Sequence, residues 1–251
     1  MIIGFIGTGN MGGAILEGYA ASPISGDSRL LVCNLNREHS ARALERTGGR
    51  CEILEANTDL CDRADVVVIG VKPQVIDGVL EEIADTFRNN KDRILVSMAA
   101  GVGIGHLSSF LGGDAKIVRI MPNTPARVGE AMTAVCRNGN VDDEEFLKVK
   151  EIFDAIGSAE EIDETLIDCV TGVSGSSPAY TYMYIEALVK AAVANGMDAE
   201  KARVFAAQAV LGAARMVLES SESIEQLRID VCSPGRTTIE AVNKLFENGF
   251  M

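Results

Sequence analysis

Apolar runs alternate with helix-like segments along roughly the first 160 residues of the chain. The runs are short and rich in β-branched side chains: IIGFIG (2–7), LLVCN (30–34), VVVIGV (66–71), RILVSMA (93–99) and KIVRIM (116–121). Helical stretches such as 37–47 and 73–88 lie between them. Continuous apolar runs are typical of strands that are buried on both faces. The pattern therefore predicts a parallel sheet between two layers of helices, with edge strands at 130–138 and 158–163.

The pattern changes after Asp163. Residues 164–251 contain no strand-like run, and their helical segments are 178–195, 198–219, 223–230 and 236–247. The first two are rich in alanine, which lets helices pack closely. So few residues in open helices make a thin core. The sequence thus predicts an α/β sheet domain over 1–162 and an all-helical domain over 163–251. We expect a second copy of the chain to complete the helical domain; the alternative is that it packs only on its own sheet domain.

Composition narrows the choice of partners. The chain has 251 residues and a net charge of −13, with 23 Lys plus Arg against 36 Asp plus Glu. A strongly acidic protein repels a phosphate backbone, so we expect no nucleic-acid partner. No run of about 18 apolar residues occurs, which argues against a membrane partner. Any phosphate-bearing ligand must be held by local dipoles and by one or two cations.

The cysteines indicate neither a metal site nor disulfides. The six thiols, at positions 33, 51, 61, 136, 169 and 232, form no CxxC pair, and the chain has only two histidines. We therefore expect no metal. The opening segment lacks a basic region and a cleavage-like site, so it is interpreted as folded structure rather than a signal peptide. Scattered cysteines without a secretion signal indicate reduced thiols and the cytoplasm.

A glycine motif follows the first predicted strand. Gly7-Thr8-Gly9-Asn10-Met11-Gly12 stands between strand 2–7 and a helix, and a second strand follows. A GxGxxG motif alone is weak, but in this order of elements it indicates a dinucleotide-binding domain of the Rossmann type, a doubly wound sheet. Gly7 allows the tight turn, Gly9 a close approach of the backbone to a pyrophosphate, and Gly12 close packing of helix on strand. The free N–H groups at the helix start would bind the phosphates.

The end of the second strand bears on which dinucleotide is used. NAD sites place Asp or Glu about 20 residues past the glycines, on the ribose hydroxyls. This chain has Asn34, Leu35, Asn36 and Arg37 there. No carboxylate would repel a 2′-phosphate, and Arg37 can pair with one. We therefore expect NADPH, with NADH possible. In the alternative interpretation Asn36 is an ordinary N-cap and Arg37 a solvated helix residue.

The segment CSPGRTT (232–238) precedes the last predicted helix. Successive N–H groups in a Ser-Pro-Gly turn at a helix start form a concavity that binds anions. Thr237 and Thr238 offer hydroxyls that donate or accept hydrogen bonds. The segment can therefore hold a carboxylate and begin a helix with the same amides. The alternative is a simple helix cap.

Several motifs together resemble pyrroline-5-carboxylate reductase. They are GTGNMG (7–12), Asn36-Arg37, VKPQ (71–74), SMAAG (97–101), RIMPNTP (119–125), GVSGSSPAY (172–180) and VCSPGRTT (231–238). The resemblance implies reduction of L-1-pyrroline-5-carboxylate to L-proline, the last step of proline synthesis, with NADPH or NADH as hydride donor. It also implies a Rossmann-type domain followed by a helical dimerisation domain. The expected assembly is a homo-oligomer, either a dimer or a ring of dimers.

The same resemblance assigns the cofactor site. The matching positions are Gly7, Thr8, Gly9, Asn10, Met11, Gly12, Asn34, Asn36, Arg37, Asn57, Val71, Lys72, Pro73, Met98, Ala99, Ala100, Pro122, Asn123 and Asp230. Gly7 to Gly12 match the pyrophosphate positions, and Asn34, Asn36 and Arg37 the adenosine-phosphate positions. For Lys72 we expect a packing or backbone role beside the nicotinamide rather than a role as catalytic acid.

The resemblance also assigns the substrate site. The matching residues are Glu164, Val231, Ser233, Gly235, Thr237 and Thr238. In the family, the backbone amides of the loop at 230–238 hold the substrate carboxylate. Thr238 matches the threonine that hydrogen-bonds the ring nitrogen, and it is the one catalytic residue expected. No histidine occupies a matching position, so we expect the protonated iminium to be bound directly.

The chain departs from the family pattern at two positions. Arg236 stands where a second glycine is usual, which raises the prospect of backbone strain if that position needs a positive φ. Ser177 replaces another glycine. These departures keep open a non-catalytic or weakly active NADP(H)-binding regulatory homologue. A β-hydroxyacid dehydrogenase is a further alternative, but the lysine expected shortly after its second glycine motif is absent before Lys190.

Overall fold

The computed structural model describes residues 1–233 and 236–250 of the chain. These residues form two compact units, Met1–Ala179 and a second unit that begins at Tyr180. The predicted domain boundary after residue 162 falls just past the last strand, inside the first unit. That boundary stays a prediction.

The first unit contains an eight-stranded sheet. The strands are β1 (Ile2–Ile6), β2 (Arg29–Cys33), β3 (Cys51–Leu54), β4 (Val66–Ile69), β5 (Ile94–Ser97), β6 (Lys116–Met121), β7 (Ala131–Arg137) and β8 (Gly157–Glu161). Their spatial order is β3-β2-β1-β4-β5-β6-β7-β8. Strands β1 to β6 run parallel, and β7 is antiparallel to β6. The first six strands have the order of a doubly wound dinucleotide-binding sheet, so the predicted α/β fold is confirmed.

Helices cover both faces of this sheet. They are α1 (Asn10–Ala21), α2 (Arg37–Arg46), α3 (Asn57–Arg63), α4 (Ile76–Asn89), α5 (Ile104–Leu111), α6 (Asp143–Asp154) and the short α7 (Ile167–Val170). Side chains alternate along each strand, so Phe5 packs in the cluster that contains residues of α1 and α6. Ile6 packs in the opposite cluster, with residues of α3, α4 and α5. Burial on both faces explains why the strands are continuous apolar runs.

The second unit is helical. Its helices are α8 (Ser177–Ala194, which begins just inside the first unit), α9 (Ala199–Glu219), α10 (Ile224–Val231) and α11 (Thr237–Glu247). Each lies within one residue of its predicted bounds. Side chains of Asp198 and Ser223 cap α9 and α10.

Most apolar side chains of the second unit are exposed. Among the described residues of these four helices, only Ala202 and Ala206 are buried. The exposed side chains include Tyr180, Tyr182, Met183, Tyr184, Val204, Phe205, Leu211, Met216 and Leu218. Exposed apolar side chains in this number indicate an interaction surface. The helical unit therefore lacks a complete core within one chain.

The described residues contain no helix that is both long and apolar enough to cross a membrane. Within the same residues, no group of three or more His, Cys, Asp or Glu side chains is arranged to hold a metal ion. All six cysteines are free. The cytoplasmic location stays a prediction.

Candidate active site

A cleft of about 610 Å³ lies at the carboxyl ends of the parallel strands. Its walls are formed by Gly7, Gly9, Asn10, Met11, Asn34, Leu35, Asn36, His39, Gly70, Val71, Lys72, Pro73, Met98, Ala100, Met121 and Pro122. These residues follow or end β1, β2, β4, β5 and β6. In open α/β sheets, ligands bind at this edge, at the point where the strand order reverses. The cleft therefore collects most of the predicted cofactor residues.

The glycine loop brings the start of α1 close to β1. Gly7 has a φ of +87°, a conformation that side-chain-bearing residues rarely adopt. A Cβ added to Gly12 would lie 2.4 Å from the carbonyl oxygen of Gly7, so a side chain here would force the turn or the helix start to shift. A Cβ on Gly9 would meet no atom within 4 Å. Gly9 is the N-cap of α1 and provides no side-chain cap, so the first-turn N–H groups remain available to an anion.

Asn34 holds the glycine loop to the end of β2. Its Oδ1 accepts a hydrogen bond from the backbone N–H of Thr8 at 2.6 Å, and its Nδ2 donates to Thr8 Oγ1 at 2.9 Å. A third hydrogen bond joins Asn34 Nδ2 to Ser40 Oγ at 3.3 Å. The amide group of Asn34 is therefore used within the protein to fix the loop, and its predicted contact with the cofactor stays a prediction.

The start of α2 forms the wall next to Asn34. Asn36 is the N-cap of α2, and its Oδ1 accepts a hydrogen bond from Glu38 N at 2.8 Å, as in the alternative interpretation of this residue. Arg37 begins the helix and is exposed, and it makes no ion pair with any described residue. His39, one turn after Asn36, contributes to the cleft wall. No Asp or Glu belongs to that wall, so the cleft does not repel a phosphate.

The remaining predicted cofactor residues have mixed positions. Val71, Lys72, Pro73, Met98, Ala100 and Pro122 line the cleft. Ala99 is buried behind the wall. Asn123 is also buried, and it joins two segments by accepting from Met132 N at 3.0 Å and donating to Ser174 O at 3.1 Å. Asn57 donates to Glu82 Oε2 at 2.8 Å and lies outside the cleft wall.

Glu164 lines a second cavity, of about 680 Å³, rather than the glycine cleft. Its neighbours in the cavity wall are Ile104, Arg137, Asn138, Glu161, Ile162, Asp163 and Thr165. Glu164 Oε1 accepts hydrogen bonds from Arg119 Nη1 at 2.9 Å and from the backbone N–H of Ile104 at 2.8 Å. Nearby, hydrogen bonds from Thr165 lower the pKa of Asp163. Arg119 and Ile104, the two donors to Glu164, belong to the first compact unit, as Glu164 does.

The other predicted substrate residues belong to the second unit. Val231 ends α10 and Ser233 is exposed, whereas Thr237 and Thr238 are the first two residues of α11. Gly235 lies outside the described residues. No side chain among the described residues caps α11, in contrast to α9 and α10. Its first-turn N–H groups are therefore available to bind an anion, and the simple-cap interpretation receives no support from the threonine side chains.

Two further predicted positions can be placed in the second unit. Arg236, the N-cap of α11, has φ −106° and ψ 166°, which is ordinary extended backbone. The strain considered from the sequence therefore does not arise at this position. Asp230 lies in α10, where its Oδ1 accepts from Gln226 Nε2 at 2.7 Å.

Four residues of the cleft wall were not predicted from the sequence: Leu35, His39, Gly70 and Met121. Gly70 could have been recognised, because it directly follows β4 and directly precedes the VKPQ motif. A Cβ at Gly70 would lie 2.4 Å from Gly7 O, so it belongs to the same close-packed group as Gly12. His39 follows Asn36 by three residues, a spacing that places both on one helix face.

The doubly wound sheet, the glycine loop and the acid-free cleft define an oxidoreductase that uses a nicotinamide dinucleotide. Pyrroline-5-carboxylate reductase of Escherichia coli is 46% identical to this chain over 248 residues, which cover 99% of the chain and 91% of the relative. The chain therefore belongs to the pyrroline-5-carboxylate reductase family, whose enzymes reduce pyrroline-5-carboxylate in proline biosynthesis. The alternative of a β-hydroxyacid dehydrogenase is not supported.

Solved structures and family models agree with this assignment. The pyrroline-5-carboxylate reductase of Coxiella burnetii is 37% identical with a TM-score of 0.89, covering 99% of this chain and 91% of that one. A pyrroline carboxylate reductase of Plasmodium falciparum, solved with NADP bound, is 31% identical with a TM-score of 0.87, covering 100% and 91%. The model "Pyrroline-5-carboxylate reductase dimerisation" matches residues 164–251, and "NADP oxidoreductase coenzyme F420-dependent" matches residues 2–101.

Proposed function

We propose that this chain reduces L-1-pyrroline-5-carboxylate to L-proline with NADPH, the last step of proline biosynthesis. The observation that carries the proposal is the 46% identity to the Escherichia coli reductase, because it extends over 99% of the chain. It therefore includes both the glycine cleft and the loop at 230–238. Activity resides in residues rather than in a fold, so this extent matters more than the sheet topology alone.

The cleft suits NADPH. Its wall contains no carboxylate, the first turn of α1 has no side-chain cap, and Gly9 faces open space. A pyrophosphate needs these features. Arg37 is exposed at the start of α2 and would pair with the 2′-phosphate. The Plasmodium falciparum relative was solved with NADP. We propose NADPH as the preferred donor, with NADH as the weaker alternative.

The chain's own residues bind and orient the substrate. The cofactor, when bound, supplies the hydride that adds to the carbon of the C=N bond. We propose that the backbone amides of the loop at 230–238 hold the substrate carboxylate, a role that the uncapped first turn of α11 supports. Thr238 hydrogen-bonds the ring nitrogen of the iminium form. Because the substrate arrives protonated, no acid from the protein is needed, and catalysis depends on orientation and exclusion of water.

We propose that the protein works as a homodimer through its helical unit. The helices α8 to α11 expose a large share of their apolar side chains, and such a surface is unstable in water without a partner. The family model that matches residues 164–251 is described as a dimerisation domain. A ring of dimers is the larger assembly that we expect.

The test is an NADPH-oxidation assay. Pyrroline-5-carboxylate is supplied in one arm, and a panel of 2- and 3-hydroxy acids with NADP in the other. We expect turnover only of the imine. Tight NADPH binding without turnover of the imine would instead identify a regulatory homologue.

Thr238 is tested in the same assay. Thr238→Ala should lower turnover, whereas Thr238→Ser, which keeps the hydroxyl, should recover most of it. A loss smaller than about threefold in the alanine variant, less than about 1 kcal/mol in the barrier, would show that the hydroxyl does not orient the nitrogen.

A further inference from the structure

Two titratable side chains stand in the wall of the glycine cleft. They are His39, in α2, and Lys72, which follows β4. The glycine loop lies between them, because β1, which leads into that loop, is placed between β2 and β4 in the sheet. The two side chains therefore meet different parts of a dinucleotide that crosses the loop. His39 belongs to the part of the wall that follows β2.

His39 has no structural partner among the residues that the structure describes. Its side chain is partly buried, and it makes no hydrogen bond or ion pair with any of them. Only its backbone N–H is bound, to Asn36 O at 3.0 Å. The chain's other histidine, His106, by contrast packs on Phe110. An imidazole has at least one N–H to donate in either protonation state. The ring of His39 is therefore a hydrogen-bond donor that a ligand in the cleft can use.

Two more donors without acceptors lie within one turn of His39. Asn36 uses its Oδ1 to accept from Glu38 N, and its Nδ2 donates to no described residue. Arg37 is exposed and makes no ion pair in the described part of the chain. Asn36 and His39 are three residues apart, so they lie on one face of the helix start. One group with several acceptor oxygens would satisfy these donors together.

No carboxylate of the cleft wall competes for the imidazole. The wall contains neither Asp nor Glu. Glu38 precedes His39 in the sequence, but consecutive residues of a helix do not face each other, and Glu38 is not part of the wall. Ser40, on the other side of His39, is buried and bound to Asn34 Nδ2 at 3.3 Å. The side chains that surround His39 thus leave its N–H to a ligand.

The position after β2 indicates which part of the ligand meets these donors. In doubly wound sheets that bind dinucleotides, the residues after the second strand contact the 2′ position of the adenosine ribose. Here β2 ends at Cys33, and the segment 34–39 follows it. NADPH carries a phosphate at that position, with three acceptor oxygens and a negative charge, whereas NADH carries only a hydroxyl. The three donors are the chemical complement of the phosphate.

We propose that His39 is a further specificity-determining residue of the cofactor site. Its imidazole N–H donates to an oxygen of the 2′-phosphate of NADPH, beside Asn36 and Arg37. The inference rests on the proposed function, because it requires NADPH to be the preferred donor. A hydrogen bond to a charged phosphate is stronger than one to a neutral hydroxyl, so His39 favours NADPH over NADH.

The experiment is a fluorescence titration of the full-length protein with NADPH and with NADH, without substrate. His39→Ala removes the ring, and His39→Phe keeps an aromatic ring but no N–H. Both variants should raise the NADPH Kd at least fivefold, about 1 kcal/mol, and leave the NADH Kd within about twofold. If His39→Phe keeps the wild-type affinity for NADPH, the ring only packs on the cofactor and the proposal is wrong. Equal losses of affinity for NADPH and NADH would overturn it as well.

Two fragments of the cofactor separate the 2′-phosphate from the rest of the molecule. Adenosine 2′,5′-bisphosphate and adenosine 5′-monophosphate share the adenine, the ribose and the 5′-phosphate, and only the first carries the 2′-phosphate. Each is used to displace NADPH from the wild type and from His39→Phe. The variant should bind the bisphosphate at least about fivefold more weakly and the monophosphate within about twofold. A similar loss for both fragments would place His39 against another part of the nucleotide and refute the assignment.

His106 offers a matched control. It lies in α5, outside the wall of the glycine cleft, and its Nε2 is 2.8 Å from Asp77 Oδ1. His106→Phe should leave the Kd of both cofactors unchanged. Thermal melts without cofactor test the fold, and His39→Phe should melt close to the wild type. If it melts much lower and binds both cofactors more weakly, His39 has a structural role and the proposal is wrong.

The wild type itself separates this inference from the proposed function. A wild type that binds NADH as tightly as NADPH would refute the proposed cofactor preference, and the role of His39 would fall with it. A wild type that prefers NADPH, together with His39 variants that keep the full preference, would refute the role of His39 alone.

Discussion

Replacing Gly9 with alanine should weaken NADPH binding without weakening the fold. The added Cβ would meet no atom of the protein within 4 Å, and the φ of −69° at Gly9 suits any L residue. Alanine restricts the unfolded chain and so adds about 0.4–1 kcal/mol of stability. Glycine is a better N-cap than alanine, so the substitution also loses a similar amount of stability at the start of α1. The free energy of unfolding should therefore stay within about 1 kcal/mol of the wild type.

The cofactor should respond differently. The new methyl group projects about 1.5 Å from the backbone into the space where the pyrophosphate would approach. A phosphate held against the first-turn N–H groups would have to move away by a comparable distance. We expect the NADPH Kd to rise at least tenfold, about 1.4 kcal/mol.

Gly12→Ala provides the contrast. Its Cβ would lie 2.4 Å from Gly7 O, whereas real Cβ contacts essentially never fall under 3.0 Å. The start of α1 or the turn at Gly7 must therefore shift by at least 0.6 Å. Overpacking of this kind costs about 1–3 kcal/mol, so this variant should lose stability as well as NADPH affinity. Gly13→Ala is the control, since its nearest atoms lie at 3.4 Å or more.

The assay combines thermal melts without cofactor and fluorescence titration with NADPH. Gly9→Ala should melt like the wild type and bind NADPH weakly. An unchanged NADPH Kd would show that the pyrophosphate does not lie against Gly9. A large drop in melting temperature would show that the space at Gly9 is not open in the folded protein.

Three further predictions concern the phosphate, the assembly and a buried thiol. Arg37→Ala should raise the NADPH Kd about tenfold and leave the NADH Kd within about twofold, because only NADPH carries the 2′-phosphate. Equal losses of affinity for NADPH and NADH in titrations would refute the pairing of Arg37 with that phosphate. Phe205 is 68% exposed, and Phe205→Glu should shift the dimer to monomer in light scattering, whereas Arg42→Glu, an exposed charge reversal in the first unit, should not; an intact Phe205→Glu dimer would place the interface elsewhere. Burial raises the pKa of Cys61 to about 12, so the folded thiol stays protonated while the unfolded one ionises near 9, and stability falls as pH rises above 9. The free energy of unfolding, measured by chemical denaturation from pH 8.5 to 10.5, should therefore fall less steeply with pH in Cys61→Ala than in the wild type. The difference should reach up to about 1.4 kcal/mol per pH unit, and an equal pH dependence in the two proteins would contradict this.

Much of the fold could be predicted because its strands are buried on both faces. The runs at 2–7 and 66–71 are apolar throughout, and they correspond to β1 and β4. Strand β3 was missed because it is a four-residue edge strand whose last three residues are not fully buried. Helix α3 was missed because it spans only seven residues, too few for a helical period to stand out.

The sequence predicts the glycine loop of the candidate site but not the hydrogen bonds that hold the site together. The glycine loop was found because its spacing has a mechanical cause, the tight turn at Gly7 and the packing at Gly12. The roles of Asn34 and Asn123 within the protein depend on partners far along the chain, which periodicity does not reveal. The pairing of Arg119 with Glu164 spans 45 residues and is likewise invisible in the sequence.

The hydrogen bonds of Glu164 have a consequence for dissecting the protein. A fragment that stops at residue 162 would contain the whole sheet but neither Glu164 nor Ile167, which packs against Met121 and Cys136. Arg119 would then lose the carboxylate that pairs with it, and the apolar side chains that Ile167 covers would be exposed. An isolated nucleotide-binding fragment should therefore be cut after residue 179, and the shorter piece should be the one that aggregates on expression.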